Sequence, residues 1–312
     1  MARAKAASKT AGGAATSTDP PRRAKKRKAV SGVETKLVGM ADVVIAAAQR
    51  AKDPAFAIPI RALSNVSFNE RKGMIEMGRK KQERTFFNVG MAKKFMQTML
   101  VADALAELQR ADLTTSLREI YYRAKHTIKD SQENTFDTQD ESDPIIEDLE
   151  VSLAELREEL HVRAENGGSI VGPVVFSDDG DRVDCSRLGK GGYSVPSIVE
   201  PEYLDIQKCT ADFLLLVEKG TQWNRLSEDK FWRKYNCVLL TGNGQPPRGV
   251  RRLARRLHEE KKLPVYVLVD NDPWGYYIYS VVKQGSINLA FESERMAIPK
   301  AKFIGLSSGD PE

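Results

Sequence analysis

Three continuous apolar runs constrain this chain more than any other feature: DFLLLVEKG, which carries Glu218, CVLLTGNGQPP from Cys237, and VYVLVDNDPWG from Val265. A strand exposed on one face alternates apolar and polar residues, and these runs do not. Helix-like segments follow two of them, GVRRLARRLHEEK after the second and YYIYSVVKQGS after the third. Continuous strands with helices between them predict a parallel sheet covered on both faces. At 312 residues the chain has room for that unit, a second domain and a tail.

Upstream the texture differs. Apolar spacing predicts a helix from Val33 to Arg50, and an irregular stretch with Pro54 and Pro59 follows. A second helix spans Val89–Arg110, with Met91, Phe95, Met99, Ala102 and Leu105 on one face. A Glu- and Leu-rich helix is expected from Asp143 to Val162, ended by Gly167–Gly168. IVGPVVF, DRVDC and GGYSVPSIV read as short strands. The expected order is a tail over 1–32, a helical segment over 33–165, and residues 166–312 with an α/β core from about 209. The fold class is thus a multidomain mixture of α+β and α/β.

Charge is unevenly spread. Of a net +5, the first 30 residues contribute +8 (nine Lys or Arg against Asp19), which leaves −3 for the remainder. The tail's Ala, Gly, Ser, Thr and Pro content predicts disorder. Its PRRAKKRK stretch suits a polyanion contact, a localisation signal or simple solubility. No apolar run reaches the roughly 18 residues of a membrane span, and no secretory signal opens the chain. Cys185, Cys209 and Cys237 are scattered without CxxC spacing, which favours an intracellular, reduced protein without zinc.

Two motifs point to chemistry. TTSLREIYYRAKH starts with a capping box, Ser116-x-x-Glu119, so a helix should begin at Leu117. Leu117, Ile120, Tyr121 and Ala124 then share the apolar face, and Tyr122 lies about 100° further round with Arg118 and Lys125 a turn to either side. Such a phenol is placed to meet a phosphate, although a plain surface aromatic on a basic helix has the same pattern. The second motif is acidic. Glu218, Asp270 and Asp272 fall at the carboxyl ends of parallel strands, where open sheets bind ligands. Three carboxylates gathered there call for a cation, and Asp-x-Asp oxygen donors suit Mg²⁺. GNGQPP lacks the GxxxxGK[ST] pattern, so no phosphate loop is present. In the next helix Arg251, Arg252, Arg255 and Arg256 form a stripe expected either to contact the DNA backbone or to be solvated.

VEKG, TGNGQP and VDNDPWG together resemble a Toprim domain of the kind in the A subunit of DNA topoisomerase VI, and REIYY resembles the tyrosine motif of the same family, which includes the meiotic double-strand-break transesterase. The resemblance covers about residues 66–308. It implies a winged-helix (CAP-like) domain bearing the tyrosine, followed by the Toprim domain. By position it makes Tyr122 the nucleophile, Arg118 a phosphate-side cation, and Glu218, Asp270 and Asp272 the acids that hold Mg²⁺. It also implies double-stranded DNA as substrate, a homodimer in which one protomer's tyrosine meets the other's acids, and a separate GHKL-type ATPase B subunit. Asn243 stands where relatives often carry Lys. The chain stops soon after AKFIGLSSGD, where members usually continue, so a shortened Toprim domain is expected. A nuclear address in the tail would fit a eukaryotic member. Programmed breakage without resealing, a metal-dependent nuclease, and a DNA-binding protein without catalysis are the alternatives.

Overall fold

A computed structural model describes residues 31–305, so the basic tail and the roles expected of it lie outside the described residues. Ser31 accepts from the Glu34 N–H and caps α1 (Gly32–Gln49). The stretch that follows is not irregular, as expected, but built of two antiparallel pairs. β1 (Ala55–Pro59), β2 (Val66–Asn69), β3 (Met74–Met77) and β4 (Lys81–Thr85) pair as β1 with β4 and β2 with β3. KQERT hides its strand character because its one buried side chain is Arg84, which hydrogen-bonds Thr98 and pairs with Asp148 far along the chain.

Next come α2 (Val89–Ala111), the short β5 (Thr115–Ser116), α3 (Leu117–Ala124) and α4 (Asp143–Leu153). Helix α4 stops nine residues before the expected Val162. Ala154 adopts the left-handed conformation, the Lys36 ammonium binds the Leu153 carbonyl, and Arg157 turns back to pair with Glu150 at 2.6 Å. Val33, Leu37, Val101, Leu105, Ile120, Tyr121, Ile145 and Leu149 close one core among α1–α4.

β6 (Val162–Arg163) pairs with β5, and β7 (Ser169–Val171), β8 (Val174–Asp178), β9 (Asp181–Asp184), β10 (Tyr193–Ser194) and β11 (Leu204–Cys209) follow. The last third holds β12 (Phe213–Val217), α5 (Gly220–Glu228), α6 (Phe231–Lys234), β13 (Cys237–Thr241), α7 (Arg248–Lys261), β14 (Val265–Leu268), α8 (Pro273–Gln284), α9 (Ser293–Met296) and β15 (Lys302–Ile304). One six-stranded sheet runs β10-β7-β13-β12-β14-β15, parallel from β13 to β15. Leu214, Leu216, Val238 and Leu240 meet α7 and α8 on one face, while Leu215, Val217 and Leu239 meet Trp223 and Trp232 on the other. Both faces are covered, which is why the runs do not alternate. No helix among the described residues is long and apolar enough to cross a membrane.

Candidate active site

Tyr122 stands on α3, whose start is set by the Ser116 hydroxyl accepting from the Glu119 N–H at 3.2 Å. Ile120, Tyr121 and Ala124 are buried on its apolar face. Tyr121 is 8% exposed and Tyr122 is 55% exposed, so the helical phase separates the two rings as the spacing predicts. The Tyr121 hydroxyl donates to the Asp137 carbonyl at 2.9 Å and accepts from Lys125 Nζ at 2.7 Å. That phenol is already committed. No hydrogen bond engages the Tyr122 hydroxyl among the described residues, and the Arg118 guanidinium lies 5.9 Å from its ring centroid. Lys125 does not flank Tyr122 as expected. It turns to Tyr121, and that bond raises its ammonium above the ordinary lysine range.

The acids occupy neighbouring strand ends. Glu218 follows β12, Asp270 and Asp272 follow β14, and the two strands are paired in parallel. The Asp270 N–H donates to Glu218 Oε2 at 3.1 Å, so the two ends are tied together. Asp272 caps α8, its Oδ1 accepting from the Gly275 N–H at 2.6 Å. A Cβ on Gly275 would collide with the Asp270 carbonyl oxygen, so the close approach of α8 to the strand end requires glycine there. The Gly244 N–H donates to the Glu218 carbonyl at 2.8 Å and brings the GNG loop to the same place. Asn243 and Gly244 both take positive φ, 56° and 110°, a conformation that favours these residue types.

Carboxylate oxygens are hard donors that suit a divalent cation. Lys219, which went unremarked in the sequence, supplies positive charge here by pairing with Asp270 Oδ2, and the pair raises the Lys219 ammonium above its ordinary value. The expectation of three acids already gathered at one point is corrected. Among the described residues, no three carboxylate, imidazole or thiol groups stand close enough to enclose an ion. Asp272 commits an oxygen to the helix cap and Asp270 commits one to Lys219. The donor chemistry of these carboxylates fits a hard cation; for Lys219 the only signal in the sequence is a lysine directly after the strand-end acid.

Helix α7 does not present the expected open cationic stripe. Arg251 and Arg256 are buried. Arg256 donates to the Val199 and Leu204 carbonyls and pairs with Glu260. Arg252 grips Glu200 with two bonds of 2.9 and 2.8 Å, and Arg255 binds Glu259 and the Ala297 carbonyl. Arg248 pairs with Glu150 at 2.8 Å and with Glu292. Arg248, Arg252, Arg255 and Arg256 thus join α7 to α4, α9 and the segment before β11 and are committed within the fold, while Arg251 is buried.

A parallel sheet whose strand ends pair Glu-Lys-Gly with Asp-x-Asp, joined to a separate helix with an exposed tyrosine, defines a two-part class of protein. Profiles of known families agree. Residues 213–312 match the Toprim domain shared by the topoisomerase 6 A subunit and Spo11, residues 93–162 match "Type IIB DNA topoisomerase", and residues 164–210 match "All-beta domain in DNA topoisomerase VI alpha subunit". The chain is 45% identical to the type 2 DNA topoisomerase 6 A subunit of Pyrococcus abyssi over 275 residues, covering 88% of this chain and 72% of that protein. The corresponding A subunits of Saccharolobus shibatae and Halobacterium salinarum are 38% and 37% identical, over 91% and 82% of this chain and 74% and 71% of theirs. The chain belongs to the family of topoisomerase 6 A subunits.

Proposed function

We propose that this chain is the DNA-cleaving and rejoining component of a type IIB topoisomerase. The observation that carries the reading is the contrast on α3: Tyr121 is committed to the core, and Tyr122 is exposed beside Arg118 with a hydroxyl that bonds to nothing among the described residues. Tyr122 Oη attacks a phosphorus of double-stranded DNA, an Oη–P bond forms, and the P–O3′ bond breaks with its electron pair leaving on O3′. The phenolic proton passes to solvent. Attack of O3′ on the phosphotyrosyl bond reverses the step and reseals the strand. Arg118 holds the phosphate against the ring with fixed positive charge.

Glu218, Asp270 and Asp272 are the residues that would hold a divalent cation, Mg²⁺ by donor type, and Lys219 would then have to give up its pairing with Asp270. Bound there, the ion would supply positive charge to the phosphate and the departing oxygen. Residues 33–165, with helices α2 and α3 and the β5–β6 pair, form the winged-helix (CAP-like) part; the stretch matched as an all-beta domain over 164–210 follows, and the Toprim part has its core from about residue 209. Two copies are required to cut both strands, the tyrosine of one meeting the acids of the other. Strand passage requires a GHKL-type ATPase B subunit in an A₂B₂ assembly, since this chain carries no Walker-type loop.

Incubating the chain with a B subunit, Mg²⁺, an ATP analogue and supercoiled DNA, and then denaturing, tests this. Protein-linked 5′ ends are expected. Breaks with free ends would indicate a nuclease, and DNA binding without breaks would indicate a binding protein.

A further inference from the structure

A cavity of about 330 Å³ lies at the start of α7, between the turn after α4, the segment 196–200 and α9. Five arginines line it: Arg157, Arg248, Arg251, Arg252 and Arg295. Four of them are matched. Arg157 and Arg248 share Glu150, Arg252 holds Glu200, and Arg295 reaches Glu158, Glu200 and Glu292.

Arg251 is different. It is only 4% exposed, it makes no ion pair among the described residues, and its Nε and one of its Nη atoms are buried without an acceptor. Burial, with the Arg248 charge beside it, pushes the guanidinium down to about 10, so it remains charged at neutral pH. An unpaired buried cation is costly, and a fold that retains one calls for a counter-charge. A second feature points the same way. Helix α7 starts after Pro247, which offers no side chain to the first N–H groups, and Pro246, Pro247 and Gly249 line the cavity. The uncapped, positive end of a 14-residue helix therefore faces the space beside Arg251. Of the carboxylates that line the cavity, only Glu165 lacks an arginine partner among the described residues, and it is exposed to solvent. The volume admits a small anion together with several waters, each needing about 30 Å³.

We propose that this cavity is a binding site for a small oxyanion of the phosphate class, held by the Arg251 guanidinium and the first amides of α7. The planar fork of Arg251 matches two oxygens of such an ion, and the helix amides take a third. Bound there, the anion fastens α7 to the turn after α4, and so joins the Toprim sheet to the part that carries Tyr122.

The test uses the full chain in phosphate-free, low-chloride buffer at constant ionic strength. Inorganic phosphate is titrated by calorimetry and by thermal unfolding. A single saturable site is expected, with an unfolding temperature that rises with occupancy. Arg251→Met should weaken that binding about tenfold or more. In phosphate-free buffer the same variant should unfold no lower than the wild type, because an unpaired charge has been removed. Arg251→Lys should retain part of the phosphate response. A purely linear rise without saturation is general salting and overturns the site. So do unchanged phosphate binding in Arg251→Met, or its unfolding well below the wild type without phosphate. Loss of duplex-DNA affinity with phosphate binding intact would assign Arg251 to DNA and overturn the site as well.

Discussion

Helices α3 and α7 are both basic and amphipathic in sequence, LREIYYRA and RGVRRLARRLHEEK, yet α3 holds Arg118 and Tyr122 in solvent while α7 draws Arg251 and Arg256 into the fold. The difference lies in what surrounds each helix. Helix α3 packs through Leu117, Ile120, Tyr121 and Ala124, and its far side stays open among the described residues. Helix α7 packs Val250, Leu253, Ala254 and Leu257 against the sheet, and is then flanked by segments that offer Glu150, Glu200, Glu292 and several carbonyls. A basic helix is a binding surface only where no acid or carbonyl from elsewhere in the chain has already taken its cations. On that ground we propose α3 as the DNA-facing helix and α7 as a structural one.

The sharpest way to break this contrast is to remove a shared partner on the α7 side. Glu150→Gln leaves Arg157 and Arg248 buried beside a neutral amide and should cost about 3–5 kcal/mol, read as a drop of roughly 10 °C in unfolding temperature. A drop of a degree or less would make the arginines of α7 less structural than claimed. The acids should behave in the opposite way. Glu218→Gln or Asp270→Asn should lower DNA cleavage by about 10²–10³-fold while leaving the unfolding temperature nearly unchanged. Cleavage assays over a range of Mg²⁺ concentrations check this, and wild-type rates in either variant would remove the strand-end site from the chemistry.

Smaller effects sharpen the comparison within α3. Arg118→Ala should reduce cleavage about tenfold and change stability by no more than about 0.5 kcal/mol, since its cation is exposed. Tyr121→Phe should show the reverse, costing about 1 kcal/mol through the lost bonds to Asp137 and Lys125 while cleavage persists. The smallest effect is a pH dependence. Burial would raise the Glu200 carboxyl, but the Arg252 hydrogen bonds and the Arg295 charge overrule it and hold it below the ordinary glutamate value. A depressed folded value stabilises above the unfolded one, near about 4.3, and that stability is lost as pH falls through the folded one. Between about pH 5 and 3, Glu200→Gln should therefore lose less stability than the wild type, as followed by thermal unfolding.

What the sequence made legible was local. The parallel strands declare themselves by runs without alternation, and α3 by a capping box and a period that separates Tyr121 from Tyr122. What it concealed depends on distant partners. Arg84 finds Asp148, Arg157 folds back to Glu150, and Arg248 and Arg252 of α7 find acids some 40 to 100 residues away, so no window around them could show that they are spoken for. Strand β4 was concealed for the same reason, and α4 was expected to run on because Ala154 gives no hint of a left-handed turn. At the acid site the strand-end positions were readable, but the pairing of Lys219 with Asp270 and the use of Asp272 as a cap were not.

The central claim is that Tyr122 and not Tyr121 takes the phosphate. Trapped reactions should be denatured, the DNA digested, and the peptide spanning α3 sequenced by mass spectrometry for a nucleotide adduct. An adduct is expected on Tyr122, one that disappears in Tyr122→Phe and persists in Tyr121→Phe. An adduct on Tyr121, or one that survives in Tyr122→Phe, would contradict the claim.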